Sequence, residues 1–249
     1  MSCVLSVAKK NFTVMKQLAL DLAQAAPPTL DNFVGGRNAE LTENLRRLAV
    51  REAGERFIYI WGEPGSGRSH LLQGVVAAAR AAKASAVYIA CAGDACLTEG
   101  VERLDCVAVD NVEVLREDAQ IGLFHLYNAL HERRGALVAS GDAPPVQLKM
   151  RQDLVTRLGW GLVYQVHALS DEEKAHALKR HAAARGFKLP DEVCAYLLAR
   201  VRRDMSSLLA MLDALDRHSL EAKRPITVVL VRELLQAAKE QESGSGIED

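Results

Sequence analysis

The chain has 249 residues, 49% of them hydrophobic and 25% charged, and its 31 basic and 32 acidic side chains leave a formal net charge of −1. A chain of this length can bury a sizeable core as one large domain or a domain with a small appendage, and its balanced charge excludes a broad basic field for unaided duplex DNA binding, so contact with DNA is expected to be weak or indirect. No stretch of about 18 uncharged apolar residues is present for a membrane span, and the odd set Cys3, Cys91, Cys96, Cys106 and Cys194 lacks CxxC spacing, which predicts small buried thiols in a reducing cytoplasm.

Residues 1–29 read as a tail that ends in Pro27-Pro28, a pair that stops helices and favours extended chain. Within it, Leu18, Leu20 and Leu22 of Gln17-Leu18-Ala19-Leu20-Asp21-Leu22 recur with a period of two. That period predicts an extended segment with one apolar face, and a partner surface is the natural place to bury it.

Residues 30–168 alternate short apolar runs with helical patterns. The runs are Phe57–Trp61, Ala86–Ala90, Cys106–Val109, Ala136–Ser140 and Leu162–Val166, and the clearest helices are Ser69–Ala82 and Ala119–Arg134. Continuous apolarity predicts strands buried on both faces, hence an α/β fold with a parallel five-stranded sheet and flanking helices. Residues 169–240 predict an all-helical lid. Ser170 and Glu173 form a capping box, Gly186 ends that helix, Pro190-Asp191 opens the next, Met205–Leu220 makes a third, and Thr227 caps a fourth. Leu208, Leu209, Leu212 and Leu215 are expected to pack the bundle core. Residues 241–249, with Ser243-Gly244-Ser245-Gly246, predict a flexible terminus.

Gly62-Glu63-Pro64-Gly65-Ser66-Gly67-Arg68-Ser69 follows the first predicted strand and opens a helix. It matches the phosphate-binding pattern G-x-x-x-x-G-K-[ST] except that Arg68 replaces Lys. The glycines let backbone amides converge on phosphate oxygens, the helix N-terminus adds positive potential, and Ser69 can offer its hydroxyl to Mg²⁺. Arg68 keeps the charge but presents a planar fork in place of a compact ammonium.

The third run ends in Asp110-Asn111. An apolar strand ending in Asp suits a carboxylate that holds Mg²⁺ through water. The next position, where a second carboxylate would polarise the attacking water, is Asn111, which cannot accept a proton. Glu113, two residues on, is a candidate substitute. Both departures spare binding and weaken turnover, so the expected ligand is ADP, or ATP, with Mg²⁺ and little or no intrinsic ATPase activity.

These elements, with Arg157-Leu158-Gly159-Trp160-Gly161, Leu30-Asp31-Asn32-Phe33-Val34, Gly65–Leu72, Gly141-Asp142 and Arg203-Asp204-Met205, resemble the AAA+ domain of the replication initiator DnaA. They are closer still to Hda, the group of DnaA-related regulatory inactivators. The similarity spans roughly residues 16 to 238. It implies an AAA+ P-loop NTPase fold in which Phe33 and Val34 lie near the base. Gly62, Pro64, Gly65, Ser66, Gly67, Arg68, Ser69 and His70 surround the phosphates, Asp110 and Asn111 lie beyond them, Asp142 stands at the sensor 1 position, and Arg203 reaches in from the lid. Arg157 resembles an arginine finger that acts in a neighbour's site, and Trp160 is expected to pack.

Gln17, Leu18, Leu20 and Leu22 resemble the hexapeptide that docks on the bacterial sliding clamp. The implied partners are DnaA and the clamp, with no membrane and a possible homo-oligomer. The implied function is clamp-tethered, nucleotide-bound stimulation of ATP hydrolysis in DnaA, negatively regulating replication initiation. The chain ends soon after the lid, without the length for an initiator's DNA-binding domain, which favours the regulator. Two alternatives stay open on the sequence: a self-sufficient ATPase of helicase-loader type, and a clamp-binding adaptor without a catalytic role.

Overall fold

A computed structural model describes residues 27–91, 100–202 and 204–244, with side chains as far as Gln236. Strands β1 (Phe57–Trp61), β2 (Ala86–Ala90), β3 (Cys106–Asp110), β4 (Ala136–Gly141) and β5 (Leu162–Gln165) form one parallel sheet in the order β2-β3-β4-β1-β5. The central strands read as unbroken apolar runs because both of their faces are covered. Ile58, Ile60, Ala108 and Val138 point to one layer, where they pack with Leu41 and Leu45 of α1 (Ala39–Ala49) and Leu71 and Val75 of α2 (Arg68–Ala81). Phe57, Tyr59, Val107 and Leu137 point to the other, against Leu123 and Leu130 of α3 (Glu117–Arg133) and Leu154 of α4 (Gln152–Leu158). Alternation along each strand therefore switches layers without switching polarity.

The predicted strands are all present, β1 and β2 with the predicted ends and the other three with ends shifted by one residue. β3 continues to Asp110 and β4 to Gly141, while β5 stops at Gln165. The Val166 amide still donates to the Trp61 carbonyl at 2.6 Å. α1 and α4 are additions to the predicted elements. Leu41, Leu45 and Leu48 of α1 carry a readable helical period, whereas α4 spans only seven residues, two turns, too short to express one.

The lid is formed by α5 (Asp171–Ala184), α6 (Asp191–Arg200), α7 (Met205–Ala222) and α8 (Val228–Gly244). Ser170 Oγ accepts from the Glu173 amide at 3.1 Å and Glu173 Oε2 accepts from the Ser170 amide at 2.8 Å, so the predicted capping box is in place. Asp204 caps α7 by accepting from the Ser207 amide at 2.8 Å. Leu208, Leu212 and Leu215 are fully buried with Leu178, Leu197 and Leu230. Leu209 packs at the edge of that core, as expected, and also lines the cleft between lid and sheet. The described cysteines Cys91, Cys106 and Cys194 are buried and free, as expected.

Gly161 shows how closely β5 is joined to β1. A Cβ built there would collide with the Phe57 carbonyl oxygen and lie 2.7 Å from its carbon. Both obstacles are backbone, so the two strands would have to part. Gly161→Ala is expected to cost about 3 kcal/mol, the upper range for overpacking. Gly159→Ala, whose nearest contact is 3.5 Å away, is the control in the same urea titration. A midpoint for Gly161→Ala no lower than that of Gly159→Ala would refute the steric account.

Candidate functional site

The loop between β1 and α2 makes its turns at Gly65 (φ +80°) and Gly67 (φ +104°), conformations open to glycine. α2 begins at Arg68, has no acidic residue in its first turn, and presents its leading amides to the loop. A Cβ on Gly67 would stand 2.7 Å from Phe33 Cε2, so the missing side chain admits the Phe33 ring. Phe33 and Val34, the predicted base neighbours, line a cavity of about 230 Å³ with Gly65–His70 on one side and Leu169, Lys174, Met205 and Leu209 of the lid side on the other.

Ser66 Oγ, Arg68 Nη1 and Glu113 Oε2 are the buried side-chain polar atoms left without a hydrogen-bond partner among the described residues. All three belong to this corner. Arg68 is only 9% exposed, and its Nη1 lies 3.8 Å from Glu113 Oε1, an ion pair too long for a hydrogen bond. Buried donors without partners are costly, and phosphate oxygens are acceptors that suit a hydroxyl and a guanidinium. Burial pushes the Glu113 carboxyl above the usual carboxylate range, with Asp142 and Asp110 adding to the rise and Arg68 opposing it. Tyr59, whose hydroxyl donates to the Ala143 carbonyl at 2.8 Å, is raised by burial first and then by Glu113 and Asp142.

Asp110 is buried at the end of β3. The hydroxyl of Ser140 donates to Oδ1, and that of Tyr88 to Oδ2 at 2.7 Å. Ser140 Oγ also accepts from the Asn111 amide at 3.0 Å, and Asn111 takes a left-handed φ of +58°, which asparagine tolerates. Tyr88 also hydrogen-bonds Gln73 and Ser69, and its hydroxyl is pushed up to about 12, by burial first and then by Asp110. Tyr88 thus joins the phosphate loop to the Asp110 strand. Asp142 is exposed just beyond β4; like Gly62, Pro64, Asp110 and Asn111, it stands at the C-terminal edge of the sheet outside the cavity wall itself.

His70 lines the cavity, but its ring nitrogen Nε2 faces the linker, 3.0 Å from the Thr29 carbonyl and 2.8 Å from Asn32 Oδ1. Asn32 in turn accepts from the Thr29 amide and donates to the Pro27 carbonyl. Burial holds the imidazole below its ordinary pKa, against the Thr29 hydrogen bond. His70 therefore positions the linker wall, with the Phe33 ring centred 5.5 Å from its own.

Arg157 belongs to α4 and is half-buried. Its guanidinium carbon lies 4.0 Å from the Trp160 ring centre and 5.7 and 5.8 Å from those of Phe124 and Tyr127. Tyr127 packs on Phe57, the first residue of β1, with ring centres 4.4 Å apart. The phosphate loop leaves the other end of β1, about 13 Å along the strand. The guanidinium is thus set apart from its own loop. Trp160, expected to pack, is 60% exposed, and its packing partner is Arg157.

Gln17, Leu18, Leu20, Leu22 and Arg203 lie outside the described residues. His167, Leu169, Lys174, Met205 and Leu209 line the cavity without having been assigned to the nucleotide site from the sequence. Their apolar members carry the same signal as core, and only the chain's path separates the two uses. Lys174 is the exception with chemistry: its side chain is 12% exposed, and its nearest carboxylate, Asp171, is 3.9 Å away. Among the described residues no group of three or more His, Cys, Asp or Glu side chains could hold a metal ion by itself, and no helix is long and apolar enough to cross a membrane.

Comparison with known proteins agrees with this geometry. Residues 171–235 match the family described as Hda, lid domain, and residues 93–165 match the bacterial DnaA ATPase domain. The fold is similar to domain III of the Thermotoga maritima replication initiation protein DnaA, at 20% identity and TM-score 0.65 over 84% of this chain and 95% of that one. It is also similar to AMPPCP-bound DnaA from Aquifex aeolicus, at 22% identity and TM-score 0.62 over 79% of this chain and 69% of that one. RuvB from Thermotoga maritima shares the fold at 16% identity and TM-score 0.60, over 84% and 72% of the two chains. The five-stranded parallel sheet, the loop at Gly62–Ser69 and the helical lid, taken with the two family matches, make this chain an AAA+ protein of the Hda/DnaA branch.

Proposed function

We propose that this DnaA-related replication regulator binds ADP with Mg²⁺, attaches to the sliding clamp through its tail, and stimulates hydrolysis of ATP bound to DnaA with Arg157. The observation that carries the reading is the position of Arg157. Its guanidinium rests on an exposed tryptophan, a strand's length from the chain's own phosphate loop, where it is available to a neighbour. A guanidinium delivered from one subunit neutralises the charge that develops on the phosphoryl group transferred in another.

The unpartnered Ser66 hydroxyl and Arg68 guanidinium nitrogen suit the phosphates of a nucleotide, as does the nucleotide analogue bound in the related Aquifex DnaA. Ser69 and Asp110 would hold Mg²⁺, Asp110 through water because both its oxygens already accept hydroxyl hydrogen bonds. The ion would supply charge neutralisation between phosphates. Arg203 would reach the same phosphates from the lid. Asn111 leaves the position of the second carboxylate without a base to activate water, and Glu113, the candidate substitute, is engaged by Arg68 at 3.8 Å.

The deciding experiment is phosphate release from ATP-loaded DnaA, with and without this protein, DNA-loaded clamp and ADP. Stimulation that requires all three components supports the reading, and appreciable turnover by this protein alone would replace it with a self-sufficient ATPase. The tail has its own test. Leu20→Ala with Leu22→Ala is expected to weaken clamp binding on the order of 100-fold, since a few apolar anchors carry most of such an affinity. Unchanged binding in a surface plasmon resonance titration would remove the clamp from the mechanism.

A further inference from the structure

Glu113 sits on the single 3₁₀ turn Val112–Val114 that follows Asp110-Asn111. Its side chain is 20% exposed and reaches across the sheet edge, so that a Cβ built on Gly141 would lie 3.5 Å from Oε2. It therefore stands over the ends of β3 and β4, beside Arg68 of the phosphate loop. Asp110, in the same corner, has its charge met by two hydroxyl donors. Glu113 has less help: Oε2 is buried without a partner, and the carboxylate otherwise has its own backbone amide and Arg68, 3.8 Å from Oε1. Arg68 in turn leaves Nη1 unpartnered. An arginine fork can be drawn sideways to a carboxylate in a way that a lysine's compact ammonium would not imitate. The corner where a third phosphate would arrive thus contains a cation engaged by a carboxylate, and the carboxylate itself.

We infer that Glu113 sets the pocket's preference for a nucleoside diphosphate over a triphosphate, by engaging Arg68 and by opposing the added charge of a third phosphate. The inference rests on the nucleotide-binding reading above and deepens it. The first two phosphates draw on the loop amides, the α2 N-terminus and Ser66, none of which Glu113 touches. A third phosphate meets a buried like charge, which disfavours it.

The test compares full-length wild type, Glu113→Gln and Glu113→Asp by calorimetric titration with ADP and with AMPPCP at one Mg²⁺ concentration and ionic strength. Gln keeps the size and removes the charge; Asp keeps the charge. For Glu113→Gln the expected result is AMPPCP binding roughly tenfold tighter with ADP within about threefold of wild type, the size of effect that one nearby like charge produces. Glu113→Asp retains the wild-type preference. An ADP-to-AMPPCP affinity ratio unchanged in Glu113→Gln overturns the inference, and so does an equal loss for both ligands, which would leave Glu113 as an orienting group for Arg68. Wild type that binds ADP in such an experiment preserves the nucleotide reading whichever way Glu113 behaves. Wild type that binds neither ligand removes both.

Discussion

Arg157→Ala is expected to lower the stimulated rate of ATP hydrolysis in DnaA by on the order of 10³ or more, the range over which arginine fingers act in phosphoryl transfer. The protein itself should remain folded. Arg157 is half-buried, and within its own chain its guanidinium is a cation held over Trp160 at 4.0 Å with Phe124 and Tyr127 further off, contacts worth about 1 kcal/mol at an exposed site. ADP affinity should be unchanged, because the phosphate loop lies at the far end of β1. Trp160→Ala separates charge from orientation: the guanidinium remains but loses its rest, and a decrease of about tenfold is expected. Single-turnover phosphate release with loaded clamp and ADP measures all of this. Arg157→Ala within threefold of wild type would show that the protein acts as an adaptor.

Arg68→Ala should reduce, without abolishing, the stabilisation that ADP confers. At one hundred times its Kd a ligand stabilises the native state by about 2.7 kcal/mol, which for a domain of this size raises Tm by roughly 5–11 °C. Arg68 is the buried cation of the phosphate loop, and its Nη1 has no partner among the described residues. Removing it withdraws a charged donor and leaves the Glu113 carboxylate without its counter-ion, so the unliganded protein should also melt lower, by the equivalent of about 1–3 kcal/mol. Arg68→Lys restores the positive charge and should recover the ADP-dependent shift. Differential scanning calorimetry with and without ADP reads both quantities. A full ADP shift in Arg68→Ala would mean that the loop amides alone hold the phosphates.

The reach of the sequence differs between these residues for a physical reason. The phosphate loop is legible because its chemistry is local: Gly65 and Gly67 supply the turns, and the helix that starts at Arg68 supplies the amides, all within eight consecutive residues. The same holds for the Ser170–Glu173 capping box and for the central strands, whose unbroken apolarity reports burial on both faces. The R-x-G-W-G box marks Arg157 by resemblance, while its cradle of Phe124, Tyr127 and Trp160 required α3 and α4 to meet. Leu209 packs at the edge of the lid core, as its period says, and also lines the cavity, because period places a residue on a helix face without saying everything that face meets.

The amino-acid sequence by itself determined the order of the strands, the phosphate loop, the two departures Arg68 and Asn111, and the Ser170–Glu173 cap of the lid, since each depends on residues close along the chain. Only the tertiary structure decided that Glu113 pairs with Arg68, that Tyr88 joins Ser69 to Asp110, that His70 serves the linker, and that Arg157 stands away from its own loop. Those relations cross from one element to another, and they come into being when the parallel strands align their C-terminal ends and bring distant side chains to a common edge.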